Sequence, residues 1–142
     1  MNSYKVMAKQ SDLDKTYLRM AQEWGNLSSA ERRKVGALIV RGNQIISDGF
    51  NGMPSGMSNA CEDAEGYTKR EVLHAESNAL TKLCKSSQSS TGSTLYVTLS
   101  PCFNCAKLVY QAGISRVVYS EEYHDLEGIT FLESLGVQVE KI

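Results

Sequence analysis

Apolar residues recur at helical spacing near the start of the chain and then form a continuous run. Between Ser11 and about Leu27 they return every three or four positions, which predicts an amphipathic helix capped by Ser11 or Asp12. The expected inner face of this helix is Leu13, Tyr17, Met20, Ala21 and Trp24. The apolar run Val35–Val40 predicts a buried strand, and the turn residues 41–44 followed by Ile45–Phe50 predict a β-hairpin.

The segment from Asn51 to Thr68 has no hydrophobic period and is rich in glycine, serine and asparagine. It is longer than most connections inside a domain, so we interpret it as a functional loop rather than a bare connector. No internal repeat, low-complexity segment or sign of a second domain occurs elsewhere. Residues 1–142 are therefore interpreted as one domain.

Strands and helices alternate after this loop. A helix with the inner face Ala75, Ala79, Leu80 and Leu83 is expected to end at the turn residues 86–92, before the strand Thr94–Leu99. Ser100 and Pro101 predict the cap and first residue of the next helix, which Gly113 ends. A strand over Arg116–Tyr119, a helix near Leu126–Leu135 closed by Gly136, and a last segment over 137–142 complete the pattern. The alternation predicts an α/β fold with a partly parallel sheet covered by helices.

Composition and charge narrow the classes of function. The chain has 142 residues and a formal net charge of −1, with no dense block of lysine or arginine. Proteins that bind a polynucleotide usually present a stronger electropositive surface, so a small substrate is favoured. No apolar run reaches the roughly 18 residues of a membrane span, and no secretory signal pattern is present. We therefore expect a cytoplasmic protein with neither polynucleotide nor membrane as partner.

Two short motifs place reactive residues at helix starts. His74-Ala75-Glu76 opens one predicted helix, and Pro101-Cys102-Phe103-Asn104-Cys105 opens the next. Thiolates are favoured at a helix N-terminus, and two adjacent thiolates repel each other unless a cation lies between them. His74, Cys102 and Cys105 are thus candidate zinc ligands, and three protein ligands leave a fourth position for water. Glu76 is the candidate general acid and base.

Each motif has a simpler interpretation when it stands alone. A single Cys-x-x-Cys occurs in redox sites and structural zinc sites, and a glutamate at a helix start usually interacts with the helix dipole. The combination is more specific, because His-x-Glu followed by Pro-Cys-x-x-Cys is the signature of zinc-dependent nucleobase deaminases.

With these motifs the sequence resembles the cytidine/deoxycytidylate deaminase superfamily. Four further segments resemble its deoxycytidylate (dCMP) deaminase group: residues 34–37, the stretch Gly49-Phe50-Asn51-Gly52-Met53-Pro54-Ser55-Gly56, Asn78-Ala79, and Tyr123-His124-Asp125. The group usually has tyrosine where Phe50 stands. The resemblance runs from about residue 12 to 142.

The resemblance implies a three-layer αβα sandwich with a five-stranded mixed sheet, usually assembled as a homo-hexamer. It implies hydrolysis of dCMP to dUMP and ammonia, supplying thymidylate synthesis, with one catalytic Zn²⁺ held by His74, Cys102 and Cys105. Glu76 would protonate N3 and then the leaving amine. The substrate-binding residues it implies are Asn51, Ala75, Ser100 and Tyr123, with Asn51 at the sugar hydroxyl and Tyr123 near the phosphate. Arg32, Arg33 or Lys34 are candidates for the phosphate charge, although a solvated surface explains them equally well.

Many relatives are activated by dCTP with Mg²⁺ and inhibited by dTTP. By resemblance the effectors would bind near Asn51, Gly52, Met53 and Pro54. Some relatives also carry a second, structural zinc ion. Here the corresponding region offers only Cys61 and no histidine, so we expect Cys61 to be an isolated thiol and Cys84 to be a core residue.

Other functions remain open on the sequence. Nucleoside cytidine deaminases are close, but they typically have cysteine where His74 stands. A tRNA adenosine deaminase shares His-Ala-Glu but needs a basic surface. A non-catalytic zinc-stabilised interaction module would use the same three ligands without needing Glu76.

Overall fold

The computed structural model describes residues 8–142, whose strands form one mixed sheet that is packed against helices. The elements in chain order are α1 (Gln10–Gly25), β1 (Gly36–Arg41), β2 (Gln44–Phe50), α2 (Ala75–Leu83), β3 (Thr94–Leu99), α3 (Phe103–Gln111), β4 (Arg116–Glu121), α4 (Glu127–Ser134) and β5 (Gln138–Lys141).

The strands lie in the order β2-β1-β3-β4-β5. The pairs β2–β1 and β1–β3 are antiparallel, whereas β3–β4 and β4–β5 are parallel. The parallel pairs are connected through α3 and α4, as parallel strands require a crossover. The predicted five-stranded mixed sheet is therefore confirmed.

Helices cover both faces of the sheet and create two hydrophobic clusters. β1 is buried on both faces, so its alternate residues enter different clusters: Ala37 and Ile39 face α2, α3 and α4, while Leu38 and Val40 face α1. This explains why the strand reads as a continuous apolar run rather than an alternating one. The predicted three-layer αβα sandwich is also confirmed.

The hairpin between β1 and β2 turns through two residues with positive φ. Gly42 has φ 57° and Asn43 has φ 61°, the conformation that two-residue hairpin turns adopt to match the twist of their strands. Glycine and asparagine tolerate this conformation better than other residues, so the turn fixes the register of the hairpin.

Two details predicted for α1 are wrong. The helix begins at Gln10 after Lys9, whose side chain makes no capping hydrogen bond, so Ser11 and Asp12 lie inside the first turn. Met20 is exposed, because the buried face is formed by Asp14, Tyr17, Leu18, Ala21 and Gly25. A buried aspartate does not belong to a hydrophobic period, and its inclusion shifts the face away from Met20.

Two further predictions are corrected in the second half of the chain. Ser100 does not cap α3, since the N-cap residue is Cys102 and the Ser100 hydroxyl instead accepts a hydrogen bond from the Tyr123 N–H at 2.7 Å. Cys84 is exposed rather than part of the core, because Leu83 takes the inward position and Cys84 lies at the C-cap of α2.

Asp14 is held by a buried polar network that connects α1 to the sheet. Arg116 from β4 donates to both carboxylate oxygens, at 2.8 and 2.6 Å, and the Tyr96 hydroxyl of β3 donates at 2.6 Å. Glu140 of β5 also accepts from Arg116, at 3.0 Å. These interactions lower the pKa of Asp14 from 3.8 to about 2, with the Arg116 hydrogen bonds as the largest cause.

The lowered pKa makes the Asp14 contribution dependent on pH. Because the pKa of Asp14 is lower in the folded than in the unfolded protein, its ionised carboxylate stabilises the fold by about 2 kcal/mol above about pH 4. This stabilisation is lost as the pH falls towards 2. We expect Asp14→Asn to lower the free energy of unfolding by about 2–3 kcal/mol at pH 7, because it leaves the partly buried Arg116 guanidinium with only Glu140 as a charged partner. Urea denaturation at pH 7 measures this loss.

The control is Glu23→Gln, which removes an exposed charge from the same helix and should change stability by less than about 0.5 kcal/mol. The difference between wild type and Asp14→Asn should shrink at pH 3. Equal stability of the two proteins at pH 7 would contradict the role assigned to the network.

Candidate active site

A cavity of about 430 Å³ opens at the carboxyl ends of β3 and β4. This is the edge at which ligands bind in open α/β sheets, and the volume is within the usual range for small-molecule sites. Its walls come from the α1–β1 loop, the end of β2, the long loop before α2, the start of α2, and the segments after β3 and β4. The long loop, interpreted from sequence as functional, thus lines the cavity.

The three candidate metal ligands meet at one end of this cavity. His74 is the N-cap residue of α2, Cys102 is the N-cap residue of α3, and Cys105 lies in the first turn of α3. His74 Nδ1 lies 3.6 Å from Cys102 Sγ and 3.2 Å from Cys105 Sγ. All three ligand atoms lie within 4.8 Å of one another.

These distances fit a tetrahedral zinc ion. In a tetrahedral site, bonds of about 2.0 Å from zinc to nitrogen and about 2.3 Å from zinc to sulfur place the nitrogen and the sulfur about 3.5 Å apart. The donor set, one imidazole and two thiols, is also one that zinc prefers. His74, Cys102 and Cys105 can therefore hold a metal ion, as the sequence predicted.

The local electrostatics favour a thiolate at Cys102. The pKa of Cys102 falls to about 4, chiefly because the Cys105 thiol donates to it and also because His74 lies beside it. Its sulfur accepts the Cys105 backbone N–H at 3.5 Å, so one of the free amides of the helix N-terminus is directed at the sulfur. The pKa of Cys105 is raised by the same hydrogen bond and by burial, and that of His74 is raised by Cys102.

Two residues near the metal ligands were not predicted. The Ser77 hydroxyl lies 3.6 Å from Cys105 Sγ, where it can donate to the sulfur. Gly128 in α4 approaches the backbone just before α3 so closely that a Cβ there would lie 2.2 Å from the Pro101 carbonyl oxygen. The sequence signal for Gly128 was a glycine placed within a predicted helix, and Ser77 had no such signal.

Glu76 lies in the first turn of α2 and is 3 % exposed. Burial is the largest cause that raises its pKa, from 4.5 to about 7, while His74 opposes the rise. Glu76 lines the same cavity as His74 and Cys102, and Cys105 is buried beside these two ligands. The structure thus brings a buried carboxyl group to the candidate metal centre.

Asn51 lines the cavity, but its side chain is largely engaged with the backbone. Its Oδ1 accepts from the Val35 N–H at 2.8 Å, and its Nδ2 donates to the Arg33 carbonyl at 2.7 Å. Its own carbonyl accepts from the Ser28 hydroxyl at 2.7 Å. Asn51 therefore fixes the loop between α1 and β1, and one N–H of its side-chain amide is left for a ligand.

The other predicted substrate-binding residues also line the cavity. Ala75 and Ser100 are buried, while Tyr123 is half-buried and packs against His124 with ring centroids 4.0 Å apart. Because the Ser100 hydroxyl accepts from the Tyr123 N–H, Ser100 fixes the segment that carries Tyr123. His124 lines the cavity too and was predicted only as part of a motif.

The predicted effector segment, residues 51–54, pairs with Leu73, the residue before the candidate metal ligand His74. Gly52 and Leu73 exchange backbone hydrogen bonds, at 3.0 Å from the Gly52 N–H and 2.8 Å from the Leu73 N–H. Met53 and Pro54 follow Gly52 and do not line the cavity. The segment is thus joined by backbone hydrogen bonds to the residue before His74.

Arg32 and Arg33 line the cavity, whereas Lys34 does not. The Arg33 guanidinium forms an ion pair with Glu121, and both side chains are more than half exposed. The Glu62 carboxylate, which sequence reasoning missed, accepts from the backbone N–H groups of Glu31 and Arg32. Nothing in a single sequence indicates that position 62 contacts a loop thirty residues earlier.

Cys61 is buried and also lines the cavity. Within residues 8–142, His74, Cys102 and Cys105 are the only His, Cys, Asp or Glu group close enough to hold a metal. One zinc ion per chain stays a prediction. Among the same residues no helix is long and apolar enough to cross a membrane.

A His-Cys-Cys set with a buried glutamate beside it is the arrangement of zinc-dependent nucleobase deaminases. Residues 11–121 match the family described as the cytidine and deoxycytidylate deaminase zinc-binding region. The chain belongs to this family, which confirms the resemblance drawn from the two motifs.

The proteins similar to this chain include several deoxycytidylate deaminases. The crystal structure of dCMP deaminase from cyanophage S-TIM5, in complex with dCMP and dUMP, superposes with a TM-score of 0.92 at 43% identity and covers 95% of this chain and 100% of that one. Deoxycytidylate deaminase of Mycobacterium phage D29 is 35% identical over 125 residues, covering 78% of this chain and 96% of that protein. The human deoxycytidylate deaminase is 40% identical over 116 residues, covering 72% of this chain and 64% of the human protein.

The metal site gives a direct test. We expect the purified protein to contain about one zinc ion per chain and Cys102→Ala to lose most of it, because two remaining ligands hold zinc poorly. Elemental analysis after dialysis measures the ratio. Cys84→Ala, which removes an exposed thiol, should keep its zinc; a wild-type ratio near two would reveal a second site.

Proposed function

We propose that this protein is a dCMP deaminase, which hydrolyses the 4-amino group of dCMP to give dUMP and ammonia. The observation that carries the proposal is the meeting of His74, Cys102 and Cys105 with buried Glu76 in a cavity that Arg32 and Arg33 also line. The similar cyanophage enzyme was solved with dCMP and dUMP, which supports this choice of substrate.

Zinc bound by His74, Cys102 and Cys105 would supply a Lewis acid that lowers the pKa of water to about 7. The chain supplies the proton transfers. The Glu76 carboxylate takes a proton from the attacking water as its oxygen bonds to C4, and delivers that proton to N3. Glu76 then transfers the second water proton to the 4-amino nitrogen, and the C4–N bond breaks to release ammonia. Burial keeps bulk water from competing for these protons.

The rest of the cavity is assigned to the nucleotide. Ala75 and Ser100 line the part nearest the ligands and would contact the base through their backbone groups. The remaining N–H of the Asn51 amide would donate to the sugar hydroxyl. Arg32 and Arg33, with Tyr123, would bind the phosphate, since Lys34 lies outside the cavity.

The alternatives are less well supported. A zinc-stabilised interaction module needs no buried carboxyl group beside its ligands, whereas Glu76 is buried there despite the cost of burying an acid. A tRNA deaminase needs a basic surface, yet Glu62 and Glu121 lie beside the two arginines. A nucleoside deaminase has no use for two arginines in the cavity wall.

The finer parts of the proposal concern assembly and control. We propose that the enzyme works in the cytosol as a homo-hexamer, supplies dUMP for thymidylate synthesis, and is activated by dCTP with Mg²⁺ and inhibited by dTTP. The segment Asn51–Pro54 is the proposed effector site. Its hydrogen bonds to Leu73, directly before His74, give an effector a short route to the metal centre.

The substrate is tested by measuring ammonia release from dCMP, CMP, dCTP, deoxycytidine and adenosine-containing tRNA. We expect dCMP to have the highest kcat/KM, because only it combines the base with a single phosphate on a deoxyribose. A preference for any other member of the panel would refute the assignment of substrate.

Glu76→Gln tests the chemistry separately from the substrate. We expect kcat for dCMP to fall by about 10²–10⁴-fold, because the amide cannot transfer protons, while the zinc content stays unchanged. Glu71→Gln, which replaces an exposed carboxylate just before α2, is the matched control and should keep wild-type kcat. Retained activity in Glu76→Gln would exclude this residue as the acid and base.

Regulation is tested by titrating dCTP with Mg²⁺, and dTTP, into the dCMP assay. We expect dCTP to lower the substrate concentration at half-maximal rate and dTTP to raise it, because each would shift the population of the active conformation. Hyperbolic kinetics that neither nucleotide changes would contradict the proposed control.

A further inference from the structure

The loop between α1 and β1 carries both arginines of the cavity and is held at two points by other segments. At one point, Glu62 Oε2 accepts from the N–H groups of Glu31 and Arg32, each at 3.1 Å. At the other, the Asn51 side chain binds the Arg33 carbonyl and the Val35 N–H. The cavity thus receives both arginines from a segment whose position depends on contacts made elsewhere.

Glu62 is itself fixed on the long loop. It forms a β-bridge with Thr68, and the neighbouring Cys61 carbonyl accepts from the Lys69 N–H at 2.8 Å. The Ser29 hydroxyl donates to the Asn59 carbonyl at 2.8 Å, so the two loops are joined over several residues. The backbone that carries Glu62 is therefore anchored on both sides, which keeps its carboxylate within reach of the two N–H groups.

The position of this carboxylate is unexpected. A negative charge beside Arg32 and Arg33 repels a phosphate, so a charge argument alone predicts that Glu62 weakens substrate binding. Its contacts suggest the opposite effect, because it satisfies two adjacent backbone donors and so orients the backbone from which the Arg32 side chain leaves. The next residue, Arg33, is held in line through its carbonyl by Asn51. Moving a binding group by about 1 Å can reduce substrate binding or turnover far more than the repulsion between an exposed carboxylate and the phosphate, which salt screens.

We propose that Glu62 is a positioning residue for phosphate recognition, which sets the preference for a nucleotide over a nucleoside by holding Arg32 and Arg33 at the cavity. The inference rests on the proposed dCMP deaminase function. Glu62 lines the same cavity, and the role proposed for it is exercised through the backbone of the arginine segment rather than by contact with the base or the metal ligands. Its effect should therefore appear in the KM for dCMP and be absent for deoxycytidine, which has no phosphate.

Two substitutions separate geometry from charge. Glu62→Gln keeps the length and an acceptor oxygen but removes the charge, whereas Glu62→Asp keeps the charge but is one methylene too short to reach both N–H groups. If Glu62 positions the segment, Glu62→Asp raises the KM for dCMP by about tenfold and Glu62→Gln changes it by less than about threefold. If the charge alone matters, Glu62→Gln lowers the KM and Glu62→Asp leaves it unchanged, which would overturn the proposal.

The measurement is steady-state ammonia release from dCMP and deoxycytidine, with each zinc-loaded variant checked for its unfolding temperature. Both variants should keep wild-type kcat/KM for deoxycytidine within about twofold, and an equal loss for both substrates would mean that Glu62 only supports the fold. Glu65→Ala, an exposed carboxylate on the same loop, is the charge control and should not raise the KM for dCMP. If wild type itself failed to deaminate dCMP, the proposed function would fail rather than the role of Glu62.

Discussion

The structure depends on bringing the N-terminal ends of α2 and α3 together at the carboxyl end of β3. Two thiolates within 4.8 Å of each other repel unless a cation lies between them and hydrogen-bond donors surround them. The N-terminal ends of the two helices supply those donors. In the sheet, β3 lies between β2, the strand before α2, and β4, the strand after α3. The close contacts are between backbones: a Cβ at Gly128 would meet the Pro101 carbonyl, and one at Gly49 would lie 2.5 Å from the Ala75 carbonyl oxygen.

The site therefore has two parts with different origins. The metal ligands and Glu76 are positioned by helix starts next to the sheet, where the geometry follows from regular secondary structure. Apart from Ala75 at the start of α2, the residues assigned to the nucleotide lie on four loops and are positioned by individual side-chain contacts. Asn51, Glu62 and Ser100 each use polar atoms to fix a neighbouring loop. Loops have few backbone hydrogen bonds of their own, so such contacts are what keep a binding surface in one shape.

The sequence predicted the first part better than the second. The strand Thr94–Leu99 and the turn at 41–44 were predicted correctly, because apolar runs and turn residues are local signals. The three residues that can hold a metal ion were singled out because the helix starts that position them have a recognisable spacing. The missed features that matter for the site and the core depend on distant contacts: Asp14 is buried where Arg116 and Tyr96 meet it, and Glu62 has its role because the chain returns to residue 31. Ser100 looked like a cap for the same reason, since its true partner, Tyr123, lies on another strand's loop.

The backbone contacts at Gly49 and Gly128 also make the geometry of the reactive centre independent of the loops around it. Because main-chain atoms set the distance between the reactive groups, changes of surface side chains leave the chemistry in place as long as both glycines remain. The loops that carry the nucleotide-binding residues can then be exchanged or lengthened without rebuilding the reactive centre. A scaffold of this kind can acquire a new substrate by altering its loops while it retains the same reaction.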